Sequence, residues 1–204
     1  QARPDLFALH PTIDAPLVPQ TRRIGLRGRL SARGRELEPI EDLDEWFAHN
    51  RAVLTAAEAI AVGLLHSPFH ADHERAVAEF LARRLPGIPL TCSHELCATP
   101  REYERFATAA ANAYLQPLMS GYLAKLARLC GESSLAIMGS DGALIAVDHA
   151  AKEPVQTVLS GPAGGLRGAW ALARSVNYDA ILALDIGGTS TDVALVMDAV
   201  PAVS

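Results

Sequence analysis

The order of apolar and polar positions along the chain switches between a helical period and a strand period. Residues 72–85 carry apolar side chains at helical spacing, which predicts an amphipathic helix that ends at Pro86-Gly87. Residues 59–65 are apolar on both faces, as in a central strand of a parallel sheet. The same patterns predict helices at 41–49, 99–129 and 166–175, and strands at 88–93, 135–138, 143–147, 180–185 and 192–197. Strands that alternate with helices predict α/β architecture with a mostly parallel mixed sheet and flanking helices.

The chain divides into three regions by pattern. Residues 1–50 predict an extended Pro-rich arm, a β-hairpin with its turn at 31–34, and a short helix. Residues 51–158 hold most of the alternating strands and helices, including a long helix with Pro117 in its interior. Residues 159–204 predict a glycine-rich turn, a helix and a strand-turn-strand.

Charge and hydropathy exclude two classes of partner. The 18 Lys and Arg against 23 Asp and Glu leave a net charge of −5, whereas nucleic-acid binding needs clustered positive charge, so no nucleic acid is expected. Apolar runs such as residues 59–65 are far too short to span a bilayer, so no membrane is expected. Three cysteines are an odd number and predict reduced thiols in a cytoplasmic protein.

Histidines and cysteines offer weaker candidates for chemistry. Cys92 and Cys97 flank His94, but no second cysteine pair follows, so a zinc site is not expected. Three histidines follow the first predicted strand and are interpreted as part of a polar loop rather than a metal site: His66, His70 and His73. Cys130 ends a helix, where the dipole disfavours a thiolate, so it is interpreted as a small packed residue.

Residues 185–192 carry the clearest candidate chemistry. An apolar strand ends in Asp185, two glycines permit a sharp turn, three hydroxyl residues follow, and Asp192 opens the next strand. Such a tip can wrap a phosphate in backbone N–H groups, and a strand-end carboxylate can hold hydrated Mg²⁺. A tight hairpin with a polar tip remains the alternative. We assign phosphate contacts to Gly187, Gly188, Thr189, Ser190 and Thr191, the metal to Asp185, and catalytic roles to Asp185 and Asp192, although Asp192 serves equally well as a turn cap.

Two further glycine turns are candidates. Residues 160–165 read as a glycine-rich turn before a helix N-terminus, which is either an anion site or a tightly packed strand–helix turn. Its candidate phosphate-binding residues are Ser160, Gly161, Gly164 and Gly165. Residues 139–142 are interpreted as a polar turn between strands, although Asp141 could face a cleft.

Taken together, these segments resemble the hydantoinase A/oxoprolinase family over nearly the whole chain. Residues 185–193 are similar to the family's phosphate motif, and residues 159–165 to its second hallmark. The shorter signatures have counterparts at residues 64–67, 93–96, 101–105 and 112–117. One departure lies at residues 139–143, where Asp141 and Ala143 stand in place of the family's Asn and paired glycines.

The resemblance implies an actin-like ATPase (ribonuclease H-like) fold. In these terms the chain is an incomplete fragment, with residues 51–158 as the C-terminal part of the first lobe and residues 159–204 as the first phosphate hairpin of the second. It also implies ATP and Mg²⁺ as cofactors, a small-molecule substrate, and a hetero-oligomer with a hydantoinase B-type subunit. The implied reaction is ATP-dependent hydrolysis of a cyclic amide such as a hydantoin or 5-oxoproline. The alternatives are an ATP-dependent ketone carboxylase of the acetone type, a sugar-kinase-like or chaperone-like ATPase, and a non-catalytic nucleotide-binding relative.

Overall fold

A computed structural model describes residues 15–131, 134–188, 191–197 and 200–201. The chain forms two compact units, Gln1–Tyr114 and Leu115–Ser204. The first unit contains β1 (Arg29–Leu30), β2 (Glu36–Glu38), α1 (Leu43–Thr55), β3 (Ile60–Val62), α2 (Asp72–Arg84), β4 (Leu90–Cys92), α3 (Ser93–Leu96) and the start of α4 (Glu102–Cys130). The second contains the rest of α4, β5 (Ala136–Met138), β6 (Leu144–Ala146), α5 (Val147–Lys152), α6 (Ser160–Ser175), β7 (Ala180–Ile186), β8 (Thr191–Met197) and β9 (Val200–Pro201).

The core of the first unit lies between helices α1 and α2 and strand β3. Its buried members are Trp46, Phe47, Leu54, Val62, Val77, Phe80, Leu81 and Leu85. Helix α1 begins at a well-formed cap, because the Asp42 carboxylate accepts hydrogen bonds from two backbone N–H groups of the first turn. Helix α2 carries acidic residues in its first turn and arginines in its last, which matches the helix dipole. The predicted helix at 72–85 is therefore confirmed, whereas the helix predicted at 41–49 extends to Thr55.

Strand pairing differs from the prediction of a mostly parallel sheet, which is wrong for the described residues. Only β3 and β4 pair in parallel there, and the other described strand pairs are antiparallel. The reason is the length of the connections. Parallel pairing needs a crossover, which α2 supplies between β3 and β4, whereas the other pairs are joined by at most five residues. The predicted two-sided burial of residues 59–65 is also wrong, since Val62 is buried but Ala61 is exposed.

In the second unit, helix α6 packs against β7 and β8. Alternate residues of these strands face the helix, and Val196 is buried there. The opposite face is apolar and exposed, with Leu182, Leu184 and Val193 each at least 60% accessible. The predicted strands at 135–138 and 143–147 are confirmed as the antiparallel pair β5–β6.

Two global properties follow from the described ranges. None of the helices described there has the length and apolar character needed to cross a bilayer. All three cysteines, which fall within these ranges, are reduced.

Candidate functional site

The hairpin formed by β7 and β8 has a continuous register. Its strands pair antiparallel from Ala180 opposite Met197 to Ile186 opposite Thr191. Gly187 and Gly188 lead into the turn, and the predicted contacts Thr189 and Ser190 lie outside the described residues. The strands predicted at 180–185 and 192–197 are therefore confirmed as an antiparallel pair, each one residue longer than predicted.

The two aspartates of the hairpin are cross-strand partners. Asp185 pairs directly with Asp192, and both residues are exposed. Directly opposed residues project from the same face of a sheet, with Cβ atoms about 4.5–5.5 Å apart. Like charges at this separation repel, so the pair destabilises the hairpin unless a cation lies between the carboxylates. Oxygen ligands of this kind suit Mg²⁺, which the arrangement can accept.

The described residues leave room for a side chain at Gly188. A Cβ atom added to Gly188 would meet no atom of the described residues within 4 Å. Its φ angle also lies outside the left-handed region that favours glycine. Neither packing among the described residues nor a positive φ angle therefore explains the glycine at this position.

The segment 160–165 is helical, which corrects the prediction of a turn. Helix α6 begins at Ser160, so Gly161, Gly164 and Gly165 lie in its first two turns. Just before the helix, the backbone N–H of Leu159 donates a 3.0 Å hydrogen bond to the Ser140 hydroxyl. A proline at the third helical position costs nothing there, since the first N–H groups of a helix have no partner within it.

The N-terminus of α6 and the hairpin tip lie at the same end of the second unit. Only residues 176–179 connect α6 to β7, and the helix packs on that strand, so the two run in opposite directions. The 16 residues of α6 span about 24 Å. The 7 residues of β7 span about 23 Å. Asp185 and Asp192 also project from the face that packs on α6, because they share the alternation of Ala183 and Val196.

Two other sequence candidates have structural roles. Asp141 is exposed, and its carboxylate accepts a 2.9 Å hydrogen bond from the Ala143 N–H, which caps the β5–β6 turn. The three histidines at 66, 70 and 73 do not converge on a common site within the described ranges. The His73 ring instead lies 2.9 Å from Glu36.

A buried polar network in the first unit was missed by sequence reasoning. Arg105 and Glu74 are both fully buried. Arg105 donates from Nε to Ser93 Oγ at 3.0 Å, from Nη1 to the Thr99 carbonyl at 3.0 Å and from Nη2 to the Leu64 carbonyl at 2.7 Å. Ser93 Oγ in turn donates to Glu74 Oε2 at 3.2 Å, so one hydroxyl bridges the two buried charges.

The segments that resemble the family's shorter signatures contribute side chains and backbone groups to this buried network. The segments at 64–67, 93–96 and 101–105 converge on Ser93 and Arg105. Asn112 is buried and donates to Thr91 at 3.0 Å. Gln116 donates to the Lys152 carbonyl at 3.1 Å. These residues position backbone segments, and no signal in the sequence pattern distinguishes that role from ligand binding.

Comparisons with known proteins match two family models to this chain. A family model described as hydantoinase/oxoprolinase matches residues 105–204. A second model, described as the hydantoinase/oxoprolinase N-terminal region, matches residues 1–85.

Individual relatives include enzymes of two kinds. The gamma subunit of acetophenone carboxylase from Aromatoleum aromaticum is 30% identical over 90% of this chain and 26% of that protein. A nucleotide-free structure of acetone carboxylase, from work on ATP-dependent acetone carboxylation, superimposes with a TM-score of 0.78 at 29% identity, over 93% of this chain and 28% of that one. The ATP-dependent caprolactamase of Pseudomonas jessenii superimposes with a TM-score of 0.75 at 26% identity, over 87% of this chain and 26% of that one. The chain thus spans about a quarter of the length of each.

Proposed function

Because the chain belongs to the hydantoinase/oxoprolinase family, we propose that it provides a phosphate-binding hairpin of an ATP-dependent enzyme that hydrolyses cyclic amides. The fold proposed for the whole protein is the actin-like ATPase fold. The observation that carries this proposal is the directly opposed pair Asp185 and Asp192 beside an open glycine tip.

Each part of the hairpin has a proposed role. The backbone N–H groups of Gly187 and Gly188, with residues 189–191, hold the phosphates of ATP. Asp185 holds a hydrated cation, and Asp192 shares that charge from the opposite strand. Mg²⁺, when bound, would offset negative charge on the phosphoryl group in transfer.

Helix α6 supplies a second set of donors. Its first N–H groups, from Ser160 and Gly161, have no intrahelical partner and carry the positive end of the helix dipole. A Cβ atom added to Gly161 or Gly165 would meet no described atom within 4 Å, and one added to Gly164 would make only ordinary contact with Met138. The packing of the described residues therefore leaves room at these glycines for an anionic ligand.

The proposed reaction uses ATP to activate a carbonyl. Phosphoryl transfer from ATP to the amide oxygen releases ADP and activates the carbonyl carbon. Water adds to that carbon, the C–N bond breaks, and the ring nitrogen takes up a proton. Hydrolysis of the resulting acyl phosphate then releases inorganic phosphate and leaves the ring-opened carboxylate. The caprolactamase likeness supports a cyclic-amide substrate. A second candidate, ketone carboxylation, is favoured by the likeness to the acetone and acetophenone enzymes, in which a carboxyl donor takes the place of water.

The partner proposed is a hydantoinase B-type subunit. Relatives of this chain are named as the gamma subunit of one enzyme and the alpha subunit of another, which supports a hetero-oligomer. Co-expression of the full-length protein with such a subunit, followed by light scattering on the purified complex, tests the assembly.

The test of the hairpin is a charge-neutralising substitution. Asp185→Asn in the full-length enzyme should lower ATP turnover by about 100-fold or more while the fold stays intact, because one transition-state electrostatic contact is worth that much. The matched control is Asp179→Asn, since Asp179 is exposed, pairs with Arg174 and precedes the opposite end of β7. Unchanged ATP turnover in Asp185→Asn would exclude the assignment.

The substrate class is decided by a comparison of ATP consumption. The assay includes hydantoins, 5-oxoproline, a lactam, and acetone with bicarbonate. Stimulation by cyclic amides alone supports hydrolysis. Stimulation that requires both ketone and bicarbonate supports carboxylation and refutes the main proposal.

A further inference from the structure

A compact cluster of metal-ligating side chains lies in the first unit, and none of its members belongs to the hairpin. Glu74, Cys92 and His94 each place a ligand atom within 4.8 Å of the others. The parallel β3–α2–β4 crossover brings them together, because the start of α2 follows the end of β3 and therefore lies beside the end of β4. The sequence pattern predicts no zinc site at Cys92 and His94, because no second cysteine pair follows them. Glu74 is remote from both along the chain, so only the fold reveals it as a third ligand.

The ring of His94 is directed into this cluster. Its side chain is 8% exposed, and its Nδ1 atom is buried with no hydrogen-bond partner among the described residues. That atom lies 3.3 Å from Glu74 Oε1, but without hydrogen-bonding geometry. A buried, unpartnered ring nitrogen is unfavourable in a folded protein, so something absent from the polypeptide is expected to satisfy it.

The separation of His94 and Glu74 matches a tetrahedral metal site. Zinc bonds of about 2.0–2.1 Å to nitrogen and oxygen place two tetrahedral ligands about 3.3 Å apart. The observed distance between Nδ1 and Oε1 is 3.3 Å. The two atoms are therefore already spaced as a pair of zinc ligands.

Glu74 is held in place for this role by its own hydrogen bonds. Its Oε2 atom accepts from Ser93 Oγ and from the Leu64 N–H, and its Oε1 atom accepts from the His94 N–H at 3.2 Å. A carboxylate oxygen has two lone pairs, so Oε1 keeps one acceptor position beside the His94 ring. Arg105 donates a hydrogen bond to Ser93 Oγ and so orients the hydroxyl that binds Glu74. Residues that hydrogen-bond to metal ligands commonly orient them in this way.

We propose that Glu74, Cys92 and His94 bind one Zn²⁺ ion, with a water molecule as the fourth ligand. Thiolate and imidazole ligands favour zinc over Mg²⁺ or Ca²⁺, which prefer oxygen. The two anionic ligands, a carboxylate and a thiolate, balance the charge of the ion itself. The ion ties α2 to β4 and α3, and its binding releases the proton of the Cys92 thiol.

The test is a cobalt titration of the full-length protein after chelator treatment. Cobalt replaces zinc at tetrahedral sites and reports thiolate ligation through a sulfur-to-cobalt charge-transfer band. One equivalent of cobalt should produce the band, and zinc should displace it. Absence of the band from the wild-type protein would overturn the proposal, and this measurement needs no variant.

Two variants change a proposed ligand, and two matched variants serve as controls. Cys92→Ser should abolish the band, and His94→Gln should weaken zinc affinity by more than about 100-fold, because even an outer-partner mutation costs 10–100-fold. The controls Cys97→Ser and His73→Gln should leave both unchanged, since Cys97 contacts Thr99 and His73 pairs with Glu36 outside the cluster. Persistence of the band in Cys92→Ser, or its loss in Cys97→Ser, would also overturn the proposal.

Discussion

Replacement of Arg105 should loosen one defined part of the first unit. Arg105→Ala removes the donor to the Ser93 hydroxyl and to the carbonyls of Leu64 and Thr99. It also removes the positive charge that Ser93 links to the buried Glu74 carboxylate. Loss of one partner from a buried, hydrogen-bonded charge pair costs about 3–5 kcal/mol. Local opening of β3, β4 and α3 should become easier by that amount.

Hydrogen–deuterium exchange measures this opening peptide by peptide. A tenfold change in an equilibrium constant corresponds to about 1.4 kcal/mol, so amides in these elements should exchange about 100 to several thousand times faster. Peptides from β7 and β8 serve as the internal reference. Arg105→Lys should fall between wild type and Arg105→Ala, because an ammonium group cannot reproduce three bonds from a planar guanidinium.

The matched control is a second arginine of the same segment. Arg101 is 79% exposed at its side chain and pairs with Glu104 at 3.6 Å. A surface pair of this kind contributes less than about 1 kcal/mol, so Arg101→Ala should change exchange by less than about fivefold. Equal exchange in Arg105→Ala and Arg101→Ala would refute the reasoning that the buried network holds these strands together.

Three further predictions concern a helix cap, the end of strand β3 and the interior of helix α4. Asp42→Ala should destabilise α1 by about 1 kcal/mol, because its carboxylate caps two backbone N–H groups at 2.9 Å, and faster exchange confined to the start of that helix checks it. Gly63→Ala should destabilise by about 1–3 kcal/mol, since the new Cβ would lie 2.5 Å from the Phe106 ring, and thermal unfolding should show a lower midpoint. Gly121→Ala, in an open stretch of α4, should raise the same midpoint through a gain of about 0.5–1 kcal/mol, and a fall would contradict the helix-propensity argument.

Helices were the most predictable part of the fold because their periodicity is local. The spacing of Val77, Phe80 and Leu81 indicated α2, and the structure buries those side chains. The start of α6 was not predictable, because glycines at 161, 164 and 165 favour a turn by local propensity. The residue before the helix, Leu159, donates a hydrogen bond to the distant Ser140, a contact that no local pattern records.

Strand partners were less predictable than strand positions. The described strands outside β7 and β8 are at most three residues long, so their alternation is too brief to reveal which faces are buried. The Asp141-Gly142 turn indicated that β5 and β6 are neighbours, and the structure pairs them antiparallel. The sequence pattern predicted parallel pairing, which β3 and β4 show. It did not predict that the other described strand pairs would be antiparallel.

The arrangement of the hairpin at 180–197 follows from the sequence by itself. Only four residues, 187–190, connect its strands, so the register that sets Asp185 opposite Asp192 is a local property of the chain. The burial of Glu74, Arg105 and His94 was decided by tertiary structure alone. Whether a charged side chain is desolvated depends on segments that the β3–α2–β4 crossover brings together from distant positions, and no local pattern of polar and apolar residues records that contact.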